Sequence, residues 1–256
     1  MKTSDALTMN LLKKLFLLVA LLPGLALAET ALPLDRAPIN LTNQASLQRG
    51  ARTFVNYCLS CHSAQYMRYS RLEALGLTED QIKQNLLFTR KRVGDTMTVA
   101  MRPDDAKKWF GVAPPDLTVI TRALGPNFVY TYLRSFYRDP TRPTGWNNVA
   151  FPNVAMPNVL ANLQGDQVAV FKTHVDTVDG KPEKVETFAH FDLVKNGSMT
   201  PAQYNAMVGD LVNYLTWMGE PAKEQRLHTG VYVMIFLFVF LVFAYFLKKE
   251  YWKDVH

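Results

Sequence analysis

Both cysteines of this 256-residue chain fall within five residues, Cys58-Leu59-Ser60-Cys61-His62. That spacing is the attachment signature of a c-type haem: two thiols that add to the vinyl groups of one porphyrin, and an adjacent imidazole held beneath the iron. The run constrains the fold before anything else does, because the rest of the chain has to supply one core around that group. A disulfide between the same thiols would be a redox motif with no use for His62, and zinc would require a further soft ligand. The residues therefore read as one covalently bound haem c on Cys58 and Cys61, with His62 as its proximal iron ligand.

Neither end of the chain belongs to a water-soluble core. Lys13 and Lys14 precede the apolar stretch Leu15 to Leu22, then Pro23-Gly24 and the small-residue triplet Ala26-Leu27-Ala28. This is the pattern of an export signal cleaved after Ala28, so residues 1–28 are expected to be removed. At the other end, Gly230 to Leu247 is uncharged, roughly 27 Å of helix and long enough to cross a bilayer. Tyr245, Tyr251 and Trp252 suit the interfacial belt, and Lys248, Lys249 and Lys253 suit the cytoplasmic side. Lys223 and Arg226 stand on the other flank, so the export signal rather than the basic bias sets the orientation. The expected organisation is an exported domain over 29–228, a span over 229–247 and a cytoplasmic tail over 248–256.

Loss of the signal takes the formal charge from +6 to +4, and about +3 of that lies on the exported part. Such a balance is no nucleic-acid footprint, nor that of a plainly acidic docking domain. The 200 residues from Glu29 to His228 contain no repeat or low-complexity linker, so they read as one domain.

Within it, Leu47, Ala51, Phe54, Val55 and Cys58 recur at helical spacing after the cap candidate Asn43, which predicts a helix running from about Ala45 into the haem motif. Thr78-Glu79-Asp80-Gln81 is a capping box before a second helix, and a third follows Pro126 with Val129, Tyr132, Leu133 and Phe136 on one side. Pro114-Pro115 forces an extended loop, and Pro140, Pro143, Pro152 and Pro157 predict a largely irregular stretch. Gln167 to Val175 and Lys184 to Val194 flank Asp179-Gly180 and read as a hairpin insertion. A further helix starts at Thr200, with Pro201 at its first position, Gln203 closing a capping box and Met199 with Tyr204 as a staple. Its stripe is Met207, Leu211, Tyr214, Leu215 and Met218, and Glu220-Pro221 ends it. The fold class is mainly α with long loops, a small β-hairpin insertion and one C-terminal transmembrane helix.

The sixth position on the iron decides the chemistry, since a closed site transfers electrons and an open one binds or activates gases. Met156 sits in Phe151-Pro152-Asn153-Val154-Ala155-Met156-Pro157-Asn158, a loop stiffened by prolines on both sides. Met101, in Met101-Arg102-Pro103, is its strongest competitor. His174 and His190 are the nitrogen alternatives, and any single methionine can equally be a packing residue.

The ordered set of motifs resembles the cytochrome c1 family in its bacterial form. It comprises the export signal, Cys58 to Ser63, Tyr66 to Leu72 (YMRYSRL), Met101-Arg102-Pro103, Ala113-Pro114-Pro115-Asp116-Leu117, the Met156 loop, Trp217 to Pro221 (WMGEP) and the C-terminal anchor. The resemblance implies a cytochrome c-like haem domain, Met156 as the distal iron ligand, Ala113 to Leu117 packed along the haem and Arg122 bound to a propionate. Tyr66, Tyr69 and Arg71 line the pocket or pack the loop after His62.

It further implies a mono-haem subunit of the bc1 complex, placed beside cytochrome b in the bacterial cytoplasmic membrane with its haem domain in the periplasm. The complex is implied to be dimeric as a whole. The Rieske iron-sulfur protein is the implied donor and a cytochrome c the implied acceptor. Unlike mitochondrial relatives, the chain has no obvious acidic run for docking its acceptor. Two alternatives stand beside this reading: a tethered cytochrome c feeding a terminal oxidase, and a haem enzyme or gas sensor with an open sixth position.

Overall fold

A computed structural model describes residues 32–178 and 181–253. The export signal expected over 1–28 and the Asp179-Gly180 turn lie outside the described residues. The fold is mainly helical, with three two-stranded antiparallel sheets among the described residues.

Helix α1 (Gln44–Thr53) begins where its cap predicts, with the Asn43 side chain accepting the Ser46 N–H at 3.1 Å. It then widens into a π turn over Phe54–Cys58, in which the Leu59 amide donates to the Phe54 carbonyl at 3.0 Å. Leu47, Ala51, Phe54, Val55 and Cys58 are all buried, so one apolar face carries the haem motif to the core. A small sheet follows, β1 (Ala64–Arg68) with β2 (Thr96–Met97). Between its strands lie a 3₁₀ segment (Tyr69–Leu75) and α2 (Glu79–Asn85), whose capping box is formed as expected on Thr78 and Gln81.

Three helices follow β2: α3 (Pro103–Phe110), α4 (Ile120–Leu124) and α5 (Pro126–Arg134). The proline-rich stretch after α5 holds more order than its prolines suggest. β3 (Phe136–Arg138) pairs with β4 (Trp146–Asn148), matching Phe136 to Asn148 and Arg138 to Trp146. After the single turn α6 (Ala161–Gln164) come β5 (Gly165–Val178) and β6 (Lys181–Asn196), a hairpin longer than predicted, with irregularities after Asp166 and after Val170. The Gln167 side chain fastens its base by donating to the Phe136 carbonyl at 2.7 Å, and Arg138 pairs with Asp166 at 3.1 Å.

The central helix α7 (Pro201–Gly219) starts on the Thr200–Gln203 capping box and lies against α1. The contact is close at Gly50, where a Cβ would lie 2.1 Å from the Asp210 carbonyl oxygen and 2.6 Å from the Tyr214 Cβ. Arg49 bonds Asp210 beside it at 2.6 and 3.0 Å, and the fully buried Phe54 and Tyr214 rings stand 5.7 Å apart. The predicted stripe of α7 faces inward, but Val208, Val212, Asn213 and Trp217 are buried too. A second face is covered by the segment before α1. There the Asn213 amide exchanges bonds with the Asn40 backbone at 2.9 and 2.8 Å and reaches the Ser46 hydroxyl at 3.0 Å.

Helix α8 (Lys223–Tyr251) is 29 residues long with a window of mean hydropathy 2.6 and no buried residue. It continues past the uncharged stretch at both ends and is long and apolar enough to cross a membrane.

Candidate haem site

One large cleft, about 480 Å³, gathers the residues that carry the chemistry: Cys58, Cys61, His62 and Met156 all line it. Its volume falls within the roughly 300–1,000 Å³ usual for cofactor sites. Its walls are almost wholly apolar.

The attachment run is shaped by the end of α1. After the π turn, the amides of Cys61 and His62 both donate to the Cys58 carbonyl, at 3.0 and 2.8 Å. This tight turn presents two thiols and an imidazole to the same space. No disulfide joins the cysteines. Burial, reinforced by Cys61, pushes the Cys58 thiol up to about 12, which keeps it a neutral sulfhydryl rather than a thiolate.

His62 Nδ1 lies 2.8 Å from the Pro115 carbonyl oxygen, and burial holds the imidazole below its usual range against the opposing pull of that bond and of Asp116. The Pro114-Pro115 loop is extended, as its prolines require. The Leu117 amide donates to the Ser63 carbonyl at 2.8 Å. The Asp116 carboxylate accepts from the Gln65 amide at 2.8 Å and from the Thr118 amide at 2.9 Å. Pro114, Pro115 and Leu117 thereby become cleft wall.

Met156 comes from 94 positions beyond His62 in the sequence, on a loop that side chains hold rather than a helix. Asn153 adopts a left-handed backbone, φ 63°, a conformation asparagine tolerates better than most residues. Its amide donates to the Asn147 side chain at 2.9 Å, while Arg142 donates to its side-chain oxygen and its carbonyl, both at 3.0 Å. Asn148 accepts the amides of Ala150 and Phe151 at 2.9 and 3.0 Å. Met156 packs on the Phe136–Trp146–Val154 cluster, and its sulphur accepts the Tyr132 hydroxyl at 3.4 Å. Burial pushes that phenol upward, so it stays an O–H donor.

The other candidates fall elsewhere. Met101 lines a separate, smaller cleft with Cys61 and Asp116. His174 and His190 are exposed on the hairpin and do not line the large cleft. Arg122 is exposed on α4, whose Ile120 and Leu124 do line it. Tyr66 is 77% exposed, and Tyr69 is buried with its hydroxyl 3.0 Å from that of Thr89; neither faces the cleft. Sequence reasoning placed Tyr132 only on a helix stripe and missed the Arg142, Asn147 and Asn153 clamp, for which the tolerance of Asn153 for positive φ was the one local signal.

The donor set fits a haem c. Two free thiols, an imidazole with one nitrogen engaged by a carbonyl and a thioether meet in an apolar space, which suits a flat macrocycle and an iron ion of borderline softness.

A family model described as Cytochrome C1 family matches residues 36–255. The chain is 52% identical over 240 residues to the cytochrome c1 of Allochromatium vinosum, covering 91% of this chain and 96% of that protein. It is 45% identical over 249 residues to a protein of Nitrosomonas europaea named ammonia monooxygenase gamma subunit, covering 97% and 100%. It is 30% identical over 244 residues to the cytochrome c1 of Rhodospirillum rubrum, covering 83% of each.

Proposed function

The chain belongs to the cytochrome c1 family, and from that premise we propose how its residues serve a haem c electron-transfer subunit of the respiratory bc1 complex. Cys58 and Cys61 are the thioether attachment points, His62 the proximal iron ligand and Met156 the distal one. Arg122, on the helix that contributes Ile120 and Leu124 to the cleft, is the partner of a propionate. The observation that carries this reading is that His62 and Met156, 94 positions apart, line one apolar cleft with both cysteines.

Bound there, a haem c supplies a one-electron iron couple whose potential a thioether ligand raises. The chain's own work is to hold that couple still and dry. Pro115 fixes the His62 tautomer, the Arg142–Asn153 clamp fixes the loop of Met156, and the apolar walls keep bulk water from the ligand atoms.

In the proposed sequence of events the chain accepts one electron from the Rieske iron-sulfur protein and delivers it to a cytochrome c. The export signal over 1–28 is removed, 29–228 stands in the periplasm, 229–247 spans the bacterial cytoplasmic membrane beside cytochrome b and 248–256 is cytoplasmic. The assembled complex is a dimer. The uncharged run Gly230 to Leu247 within α8, the one helix among the described residues long and apolar enough to cross a membrane, supports the single-pass arrangement.

Purification of the full chain in mild detergent tests the proposal. The mature polypeptide should carry the mass of one haem beyond its own, and cytochrome b and an iron-sulfur protein should copurify. Copurification of a monooxygenase instead would assign the chain to the assembly named for its Nitrosomonas relative, and a terminal oxidase would make it a tethered carrier.

A further inference from the structure

We propose that Tyr132 is a positioning residue that tunes the Met156 thioether, and raises the reduction potential of the centre, by donating its hydroxyl hydrogen to the Met156 sulphur. The inference rests on Met156 being the distal ligand.

The hydroxyl stands 3.4 Å from the sulphur, which is its one hydrogen-bond partner among the described residues. A phenol with most of its surface withdrawn from water normally finds an acceptor, and here the acceptor is the atom proposed to bind the metal. The ring is held on several sides: Phe136 meets it edge-on at 5.1 Å, Phe128 stacks at 6.1 Å and Phe151 meets it edge-on at 6.5 Å. Its backbone is held as well, since Asn148 donates to the Tyr132 carbonyl at 2.8 Å. Tyr132 therefore points at the sulphur because its surroundings fix it there.

A thioether sulphur has two lone pairs, and a metal ligand uses one of them. A hydrogen placed on the other draws electron density away from the metal-bound pair. The oxidised ion, with the greater demand for electron density, loses more from that withdrawal than the reduced ion does, so the potential rises. Tyr214 and Met97 make a longer contact of the same kind, 3.8 Å, but neither lines the cleft, and that pair belongs to packing.

The test is Tyr132→Phe in the full-length, haem-loaded protein, which keeps the ring and removes the hydroxyl. The far-red methionine-to-iron band of the ferric protein should persist, the midpoint potential should fall, and the affinity of the ferric protein for added imidazole should fall by about two- to five-fold as the thioether binds more firmly. A band, potential and imidazole affinity all unchanged would reduce Tyr132 to a packing residue and overturn the proposal. Should the variant fail to mature, site-specific 3-fluorotyrosine at position 132 supplies a stronger donor in the same place. It should move the potential upward, and no movement would overturn the proposal. A wild-type protein without the far-red band, or a Met156→Ala protein that retains it, would instead remove the ligand assignment on which the inference stands.

Discussion

His62 Nδ1 lies 2.8 Å from the carbonyl oxygen of Pro115, 53 positions away in the chain. A carbonyl can only accept, so Nδ1 carries the proton and Nε2 keeps the lone pair that a metal requires. One backbone oxygen in a proline loop thus settles the tautomer of the imidazole, and the stiffness of that loop becomes part of the geometry of His62.

Asp116 is the residue that holds the loop in place, through the amides of Gln65 and Thr118 and the Thr118 hydroxyl. Asp116→Ala leaves those donors without their acceptor and should cost about 1–3 kcal/mol. Thermal unfolding of the haem-loaded protein should shift down by roughly 2–4 °C for each kcal/mol lost. An unchanged midpoint would mean that the loop is held by its prolines alone.

Gly50 permits the close approach of α1 to α7. In Gly50→Ala the new methyl meets the Asp210 carbonyl and the Tyr214 Cβ, so the helices must separate, and the Phe54–Tyr214 contact with them. Overpacking of this kind costs about 1–3 kcal/mol. Because α1 delivers Cys58, haem incorporation should fall together with the thermal midpoint. Full incorporation at wild-type stability would contradict the described packing.

The short strands and the loop tips were not legible in the sequence, and the reasons are physical. Capping boxes at Thr78 and Thr200 are closed by residues three apart, so the pattern contains its own hydrogen bonds, and both helices begin there. The cysteine spacing and the proline-bounded Met156 loop were equally local. The β3–β4 pair is closed by side chains such as Asn147 and Arg142 that bond across the loop, and no periodicity records them. Tyr132 reads as one more apolar helix position until packing brings it to a sulphur 24 residues away. The predicted stripe of α7 undercounted its buried surface because the segment around Asn40 covers a second face, a contact between residues 173 positions apart. Helix α3 did carry its signals, with Pro103 at the start, Asp104 and Asp105 in the first turn and Gly111 at the end.

Acid should weaken the turn between β3 and β4. Hydrogen bonds from Thr141 and Asn147 hold the Asp139 carboxyl below its ordinary range. A depressed pKa contributes stability in full above the unfolded-state value, about 3.9, and that contribution disappears as pH falls through the folded-state value. The thermal midpoint of the wild type should therefore fall more steeply below pH ~4 than that of Asp139→Asn, which lacks the titrating group. Parallel curves for the two proteins would show that Asp139 is not linked to folding.

The Arg142–Asn153 clamp gives a separate prediction for the distal side. Arg142→Ala removes two bonds to the residue with positive φ, so the loop should sample conformations that withdraw Met156. The far-red ferric band should weaken while haem attachment at Cys58 and Cys61 stays complete. A band of full strength would place the rigidity of the loop in its prolines.

Carbon monoxide binding by the reduced, full-length protein tests the closed centre most directly. With His62 and Met156 both on the iron, the wild type should show no prompt spectral change on addition of the gas, and Met156→Ala should bind it at once. A wild type that binds carbon monoxide as readily as the variant would contradict the account and make the centre an open haem.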